Sequence, residues 1–88
     1  MTAIQIRLFG VLQQWMGRSV LSLEVMLPLT SQALKKQLVK TFSDAGLNEE
    51  KLTIVHHCVL ADDHHIFSAE EEIGSADGLA ILPPFSGG

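Results

Sequence analysis

The chain is poor in cysteine, in basic residues and in long apolar runs, and each shortage removes a class of protein. Its single cysteine, Cys58, excludes an internal disulfide framework and fits a reducing compartment. Lys and Arg together number 6 against 10 Asp and Glu, for a net charge of -4. So few cations make a poor nucleic-acid binder and disfavour an anionic membrane surface. No segment approaches the roughly 18 apolar residues of a membrane span. Met1 to Arg7 lacks a basic stretch followed by an apolar block, so no secretory signal is expected and the expected location is the cytoplasm. Linkers, low-complexity tracts and repeats are missing too. The 88 residues are expected to form one domain over 1–88, too short for separate cofactor and catalytic domains. Hydrophobic residues at 47% and charged residues at 18% mark a globular chain rather than a disordered one.

Apolar spacing then orders the elements. Ile4, Ile6 and Leu8 alternate with Gln5 and Arg7, which predicts a strand with one buried face. Gly10 ends it, and Val11 to Met16 reads as a short helical turn closed by Gly17. Leu21, Leu23, Val25 and Leu27 alternate in a second strand, stopped by Pro28 and expected to pair with the first as an antiparallel hairpin. The period then lengthens. Leu34, Leu38 and Phe42 predict an amphipathic helix from about Thr30 to Ser43, with Thr30 or Ser31 as N-cap and Gly46 as stop. Leu52 to Leu60 reads as a β-rich run, Ala61 to His64 as a turn, and His65 to Phe67 as a short returning strand. Ser68 to Asp77 is polar and acidic, with Asp77-Gly78 as a turn signal. Leu79 to Leu82 has no polar face, so it suits a strand in the middle of a sheet. The order β-β-α-β-(β)-β predicts an α+β domain: a mixed sheet of four to five strands with one main helix on one face. That order describes the β-grasp, or ubiquitin-like, architecture.

The sequence ends in Pro83-Pro84-Phe85-Ser86-Gly87-Gly88, expected to form a flexible tail over 83–88. Two prolines stiffen its base and two glycines keep its tip thin. Four residues beyond Pro84 reach about 13 Å when extended. A stiff base, a slim tip and a free carboxylate make a probe for a narrow active site. The chemistry open to such a carboxylate is activation by adenylation, followed by attack of sulfur or of an amine. No catalytic side chain from this chain is needed.

Three segments resemble the MoaD/ThiS ubiquitin-like sulfur carriers, most of all the small subunit of molybdopterin synthase. Phe9 to Gly17 resembles that family's stretch after the first strand, and Thr30 to Phe42 lies where its long helix lies. Asp77-Gly78, the apolar strand Leu79 to Leu82 and the closing Pro83-Pro84-x-x-Gly87-Gly88 resemble its ending. The Pro-Pro tilts the resemblance to the molybdopterin branch, since the ThiS branch usually lacks it. Two departures lie outside the tail: Gln13-Gln14 where an acidic residue is common, and Ile54 to Val59 where apolar residues followed by Asn are more usual. The resemblance implies that an E1-like adenylyltransferase uses ATP to activate Gly88. A sulfur donor acting through that enzyme then makes a thiocarboxylate. The tail, Pro83 to Gly87 with Phe85 as an apolar anchor, enters the large subunit of molybdopterin synthase. No cofactor bound by the chain itself is implied. Other acceptors for the same chemistry are a thiazole- or amino-acid-pathway enzyme, or lysines if the chain is a ubiquitin-like modifier.

The remaining residues divide between packing and contact. Phe9 and Met26 are candidate interface residues, Met26 because it lies opposite the Leu21-Leu23-Val25 face, while Trp15 is assigned to the core. His56, His57, Cys58, His64 and His65 invite a metal reading, but His56 and His57 would point to opposite faces of a strand, and no metal is expected. Cys58 on an apolar strand is expected to be packed rather than nucleophilic. Asp62-Asp63 and Glu70-Glu71-Glu72 read as solvated loop charge, with docking to a basic partner as the functional alternative.

Overall fold

The computed structural model describes residues 1–75 and 78–83. β1 (Thr2–Leu8) buries Ile4, Ile6 and Leu8 and exposes Ala3, Gln5 and Arg7, as a strand with one wet face must. It continues into α1 (Val11–Met16), one short helix closed by Gly17 at φ 67°, whose N–H bonds the Gln13 carbonyl. β2 (Val20–Val25) returns antiparallel, with Ile6 opposite Leu21 and Ile4 opposite Leu23. The expected hairpin is therefore present, though β2 stops at Val25, short of Leu27.

β3 (Leu29–Thr30) leads directly into α2 (Ser31–Asp44). Thr30 is the N-cap: its Oγ1 accepts the Ala33 N–H at 3.1 Å. Leu34, Leu38 and Phe42 are fully buried, the stripe that the four-residue spacing demands. Ala45 caps the other end, and Gly46 follows at φ 103°, a left-handed turn that suits glycine.

The next segment differs from its sequence reading. Leu52 to Leu60 does not run as a strand: α3 (Glu49–His57) takes up most of it, and β4 (Val59–Ala61) is confined to its end. Local capping outweighs β propensity here. Asn48 Oδ1 accepts the Lys51 N–H at 3.0 Å, Glu49 and Glu50 sit in the positive first turn, and His56 and His57 occupy the negative last turn. The returning strand expected at His65 to Phe67 shrinks to a single bridge, Ala61 to Ile66. Within the polar stretch after it, β5 (Glu72–Ile73) pairs antiparallel with β3 and buries Ile73. Asp77 of the expected turn lies outside the described residues.

β6 (Ala80–Leu82) runs parallel to β1 on one side and antiparallel to β4 on the other. The main sheet has the order β2-β1-β6-β4, so the last strand is interior, as its unbroken apolar run requires. Phe42, Leu38 and Leu34 of α2 share one buried cluster with Ile4, Ile6, Leu8, Leu60 and Ile81 of the sheet. A mixed four-stranded sheet grasping one main helix is the β-grasp arrangement. Phe42 is the largest fully buried side chain. Phe42→Ala should lower unfolding stability by about 3–5 kcal/mol, read from urea melts; a loss under 1 kcal/mol would show that the helix is not the core's anchor.

Candidate functional site

β6 positions the base of the tail. Arg7 lies opposite Ala80 and Leu8 opposite Ile81, so the chain beyond β1 (Phe9, Gly10) runs beside the end of β6 (Leu82) and the residue after it (Pro83). The approach is close. Gly10 sits at φ 59°, ψ -134°, and a Cβ there would stand 3.1 Å from Pro83 Cγ. The dihedrals favour glycine at position 10, and a side chain there would crowd the Pro83 ring. Pro84, Phe85, Ser86, Gly87 and Gly88 lie outside the described residues. Only Pro83 of the predicted tail belongs to the described structure, half-buried at the end of the central strand.

The face of the sheet away from α2 surrounds this exit. Directly opposed residues share a face, so Arg7, Val20, Ala80 and Ala61 form one row and Leu82 and Val59 the next. Phe9, 40% exposed, stands at the end of this face with the Arg7 guanidinium 5.8 Å from its ring centroid. Ile66, 55% exposed, joins through its bridge to Ala61. Ala80 and Ala61 are themselves buried, so Val20, Phe9 and Ile66, with half-buried Val59 and Leu82, leave apolar surface around one arginine at the root of the tail. Arg7 is held by Asp63 at 3.2 Å and reaches the Gly78 carbonyl at 3.5 Å. Both side chains are more than half exposed, so this pair orients the guanidinium more than it stabilises the fold.

Phe9 and Met26 do not come together. Met26 is 73% exposed, but it follows β2 at the end of the sheet where Thr2 pairs Val25. Phe9 follows the other end of β1, about 20 Å away at 3.3 Å per residue. Of the two, Phe9 alone lies at the end of the sheet where Pro83 follows β6. Trp15 is half-buried against the core, with Lys51 Nζ 5.3 Å from its ring centroid.

The histidines and Cys58 sit differently from their sequence placement. His56 and His57 end a helix, and Cys58 is its C-cap, fully buried. The Cys58 thiol donates to the Ile54 carbonyl at 3.3 Å, and burial pushes its pKa up to about 11. A thiol held protonated in this way is a packing group, not a nucleophile. Among the described residues no three His, Cys, Asp or Glu side chains converge as metal ligands. No described helix is long and apolar enough to cross a membrane.

Part of the acidic loop charge is structured rather than solvated. Asp62 Oδ1 accepts the backbone N–H groups of His64 and His65 at 2.8 and 2.9 Å. Glu71 accepts the Ser68 N–H at 3.2 Å and pairs through its other oxygen with His65 Nε2. The His65 ring meets Phe67 edge-on at 4.7 Å. This Asp-His-Glu network ties the loop after β4 to the segment before β5. The bond from Glu71 raises the His65 pKa, and the same bond lowers that of Glu71. The two backbone donors lower that of Asp62.

Comparison with protein-family models and with curated proteins gives no match. Among solved structures the chain is similar to SAMP1 from Haloferax volcanii, with a TM-score of 0.67 at 21% sequence identity. The match covers 99% of this chain and 100% of that one. The fold is ubiquitin-like. Within that fold, the Gly10–Pro83 approach and the face around Arg7 are features that sequence reading missed. The glycine had been legible only as a strand end, because its partner is more than seventy residues away in the chain.

Two outcomes are expected. Gly10→Ala should cost about 1–3 kcal/mol in urea melts from the forced dihedral alone, and should shift the amide resonances around Leu82. An unperturbed variant would separate Gly10 from the tail base. The His65 network should show a pH window. A raised pKa makes the His65 contribution complete below its unfolded value of about 6.5 and lost as pH rises through the folded value. The lowered values of Glu71 and Asp62 make theirs complete above about pH 4 and lost as pH falls through the folded values. The melting-midpoint difference between wild type and Glu71→Gln should therefore be largest between about pH 4.5 and 6.5 and narrow above. A difference constant to pH 8 would mean that His65 does not titrate against Glu71.

Proposed function

We propose that the chain is a sulfur carrier that acts through Gly88 in molybdopterin synthesis, as the small subunit of molybdopterin synthase. The observation that supports this reading most is the placement of β6. It is the interior strand of a ubiquitin-like sheet, and at Pro83 it hands over to Pro84-Phe85-Ser86-Gly87-Gly88 beside exposed Phe9. A strand paired on both sides is a rigid mount for Pro83.

In this reading Gly88 is the terminal residue. Its carboxylate attacks the α-phosphate of ATP in the pocket of an E1-like adenylyltransferase, releasing pyrophosphate. A sulfur nucleophile supplied through that enzyme displaces AMP and leaves a thiocarboxylate. The tail then enters the large synthase subunit, where the sulfur passes to the pterin precursor. This chain supplies positioning and no catalytic side chain. The apolar face around Arg7, with Phe9 at its edge, is the surface that docks on each partner in turn, in the cytoplasm. The likeness to SAMP1, a ubiquitin-like small archaeal modifier protein, favours a second reading in which an amine attacks the same adenylate. Lysines bearing the Gly87-Gly88 end in whole-cell digests would distinguish it.

The test is the intact mass after incubation with an E1-like adenylating enzyme, ATP and a sulfur donor. One oxygen should be exchanged for sulfur, and the change should vanish when Gly88 is deleted while the circular dichroism spectrum stays the same. A mass unaltered by several such enzymes would overturn the carrier chemistry.

A further inference from the structure

The two edges of the main sheet are finished differently. At β4 the outer edge is short and covered: Phe67 N–H bonds the Leu60 carbonyl at 2.8 Å, and Asp62 N–H bonds the His65 carbonyl at 3.0 Å. At β2 the edge is six residues long and bare. The Leu8 N–H bonds the Ser19 carbonyl at 2.8 Å, which sets the alternation of the ladder. Leu21, Leu23 and Val25 turn their backbone groups to β1, and Val20, Ser22 and Glu24 turn theirs outward. Among the described residues no backbone or side-chain hydrogen bond reaches that outer row. Sheets protect such an edge with proline, lysine, a bulge or a covering segment. β2, Val-Leu-Ser-Leu-Glu-Val, has no proline or lysine and one charge, and among the described residues no bulge or covering segment protects it.

We propose that β2 pairs with β2 of a second copy of this chain, antiparallel about Ser22, so that the two sheets join into one. The side chains select both occupant and register. Centred on Ser22, the pairing sets Ser22 opposite Ser22 and Val20 opposite Glu24 of the other copy, each pair exchanging both backbone bonds. Diagonal neighbours on the same face are then Arg18 with Glu24, and Val20 with Met26. These are an exposed cation with an exposed carboxylate, and a 38% exposed valine with a 73% exposed methionine. Diagonal positions lie about 7–8 Å apart, within reach of such long side chains. A register centred on Leu23 would set the two Glu24 side chains diagonal to each other and repel. Two-fold symmetry makes each favourable contact twice. β1 stands between β2 and β6, so the pairing leaves both Pro83 exits uncovered. The dimer carries two tails.

Sedimentation velocity of the whole chain, from micromolar to millimolar, tests this. Wild type should pass reversibly from monomer to dimer. Ser22→Pro removes an outward N–H that β1 does not use, and should weaken the dimer at least about tenfold. Arg18→Glu and Glu24→Arg should each weaken it about threefold to tenfold, and the double variant should recover. The double variant decides the matter even if Ser22→Pro fails to fold. A wild type that stays monomeric through the millimolar range overturns the proposal and leaves the edge to a strand of another protein. A dimer indifferent to all three variants, or a double variant without recovery, overturns it as well.

Discussion

The structure depends on the insertion of β6 between β1 and β4. A parallel pair cannot close through a tight turn, so the segment linking β1 to β6 must make a crossover, and α2 is its main element. With β6 seated, Leu79 and Ile81 meet the helix stripe of Leu34, Leu38 and Phe42, and the core closes. Each ladder bond is worth about 0.5–1.5 kcal/mol net, so these short ladders set geometry. The apolar burial they permit, at about 25 cal/mol per Å², supplies most of the stability.

In the proposed reading, stability and chemistry occupy different parts of the chain. The buried cluster reaches no further along β6 than Ile81, and the residues proposed to carry a reactive group come after it. Between them stand Gly10 and Pro83, placed so that a side chain at position 10 would meet the proline. A carrier needs this division. Its end must fit into more than one enzyme while its body stays the same. An activated carboxylate also needs no base or nucleophile nearby, which agrees with a Cys58 thiol that is buried, bonded and protonated.

Charge works at a second level. The Asp62-His65-Glu71 network and the Arg7–Asp63 pair both hold the loop after β4, which is long, polar and poor in buried side chains. Burial does not order such a loop well, because only Phe67 within it is buried. Directed bonds to backbone N–H groups at Asp62 and Glu71 do that instead. The same loop covers the outer edge of β4, so its order also protects the sheet on that side.

Local patterns in the sequence determined the hairpin, the helix stripe and its cap region, and the interior character of Leu79 to Leu82. Each depends on neighbours within a few residues, through side-chain alternation or the helical period. The tail motif is likewise local in the sequence, but residues 84–88 lie outside the described structure. The fate of Leu52 to Leu60 was not, because β-branched residues favour a strand only when a pleated neighbour receives them, whereas Asn48 and two glutamates start a helix directly. Nor could the sequence show that His65 would lie between two carboxylates, that Glu72 and Ile73 would pair with β3, or that Phe9 would lie at the Pro83 end of the sheet while Met26 stood at the far end. The last two relations join residues distant in the chain, and the first lies in a loop whose path no helical or strand period sets. Only the tertiary structure decides them, because the packing of α2 against the sheet sets which distant segments become neighbours.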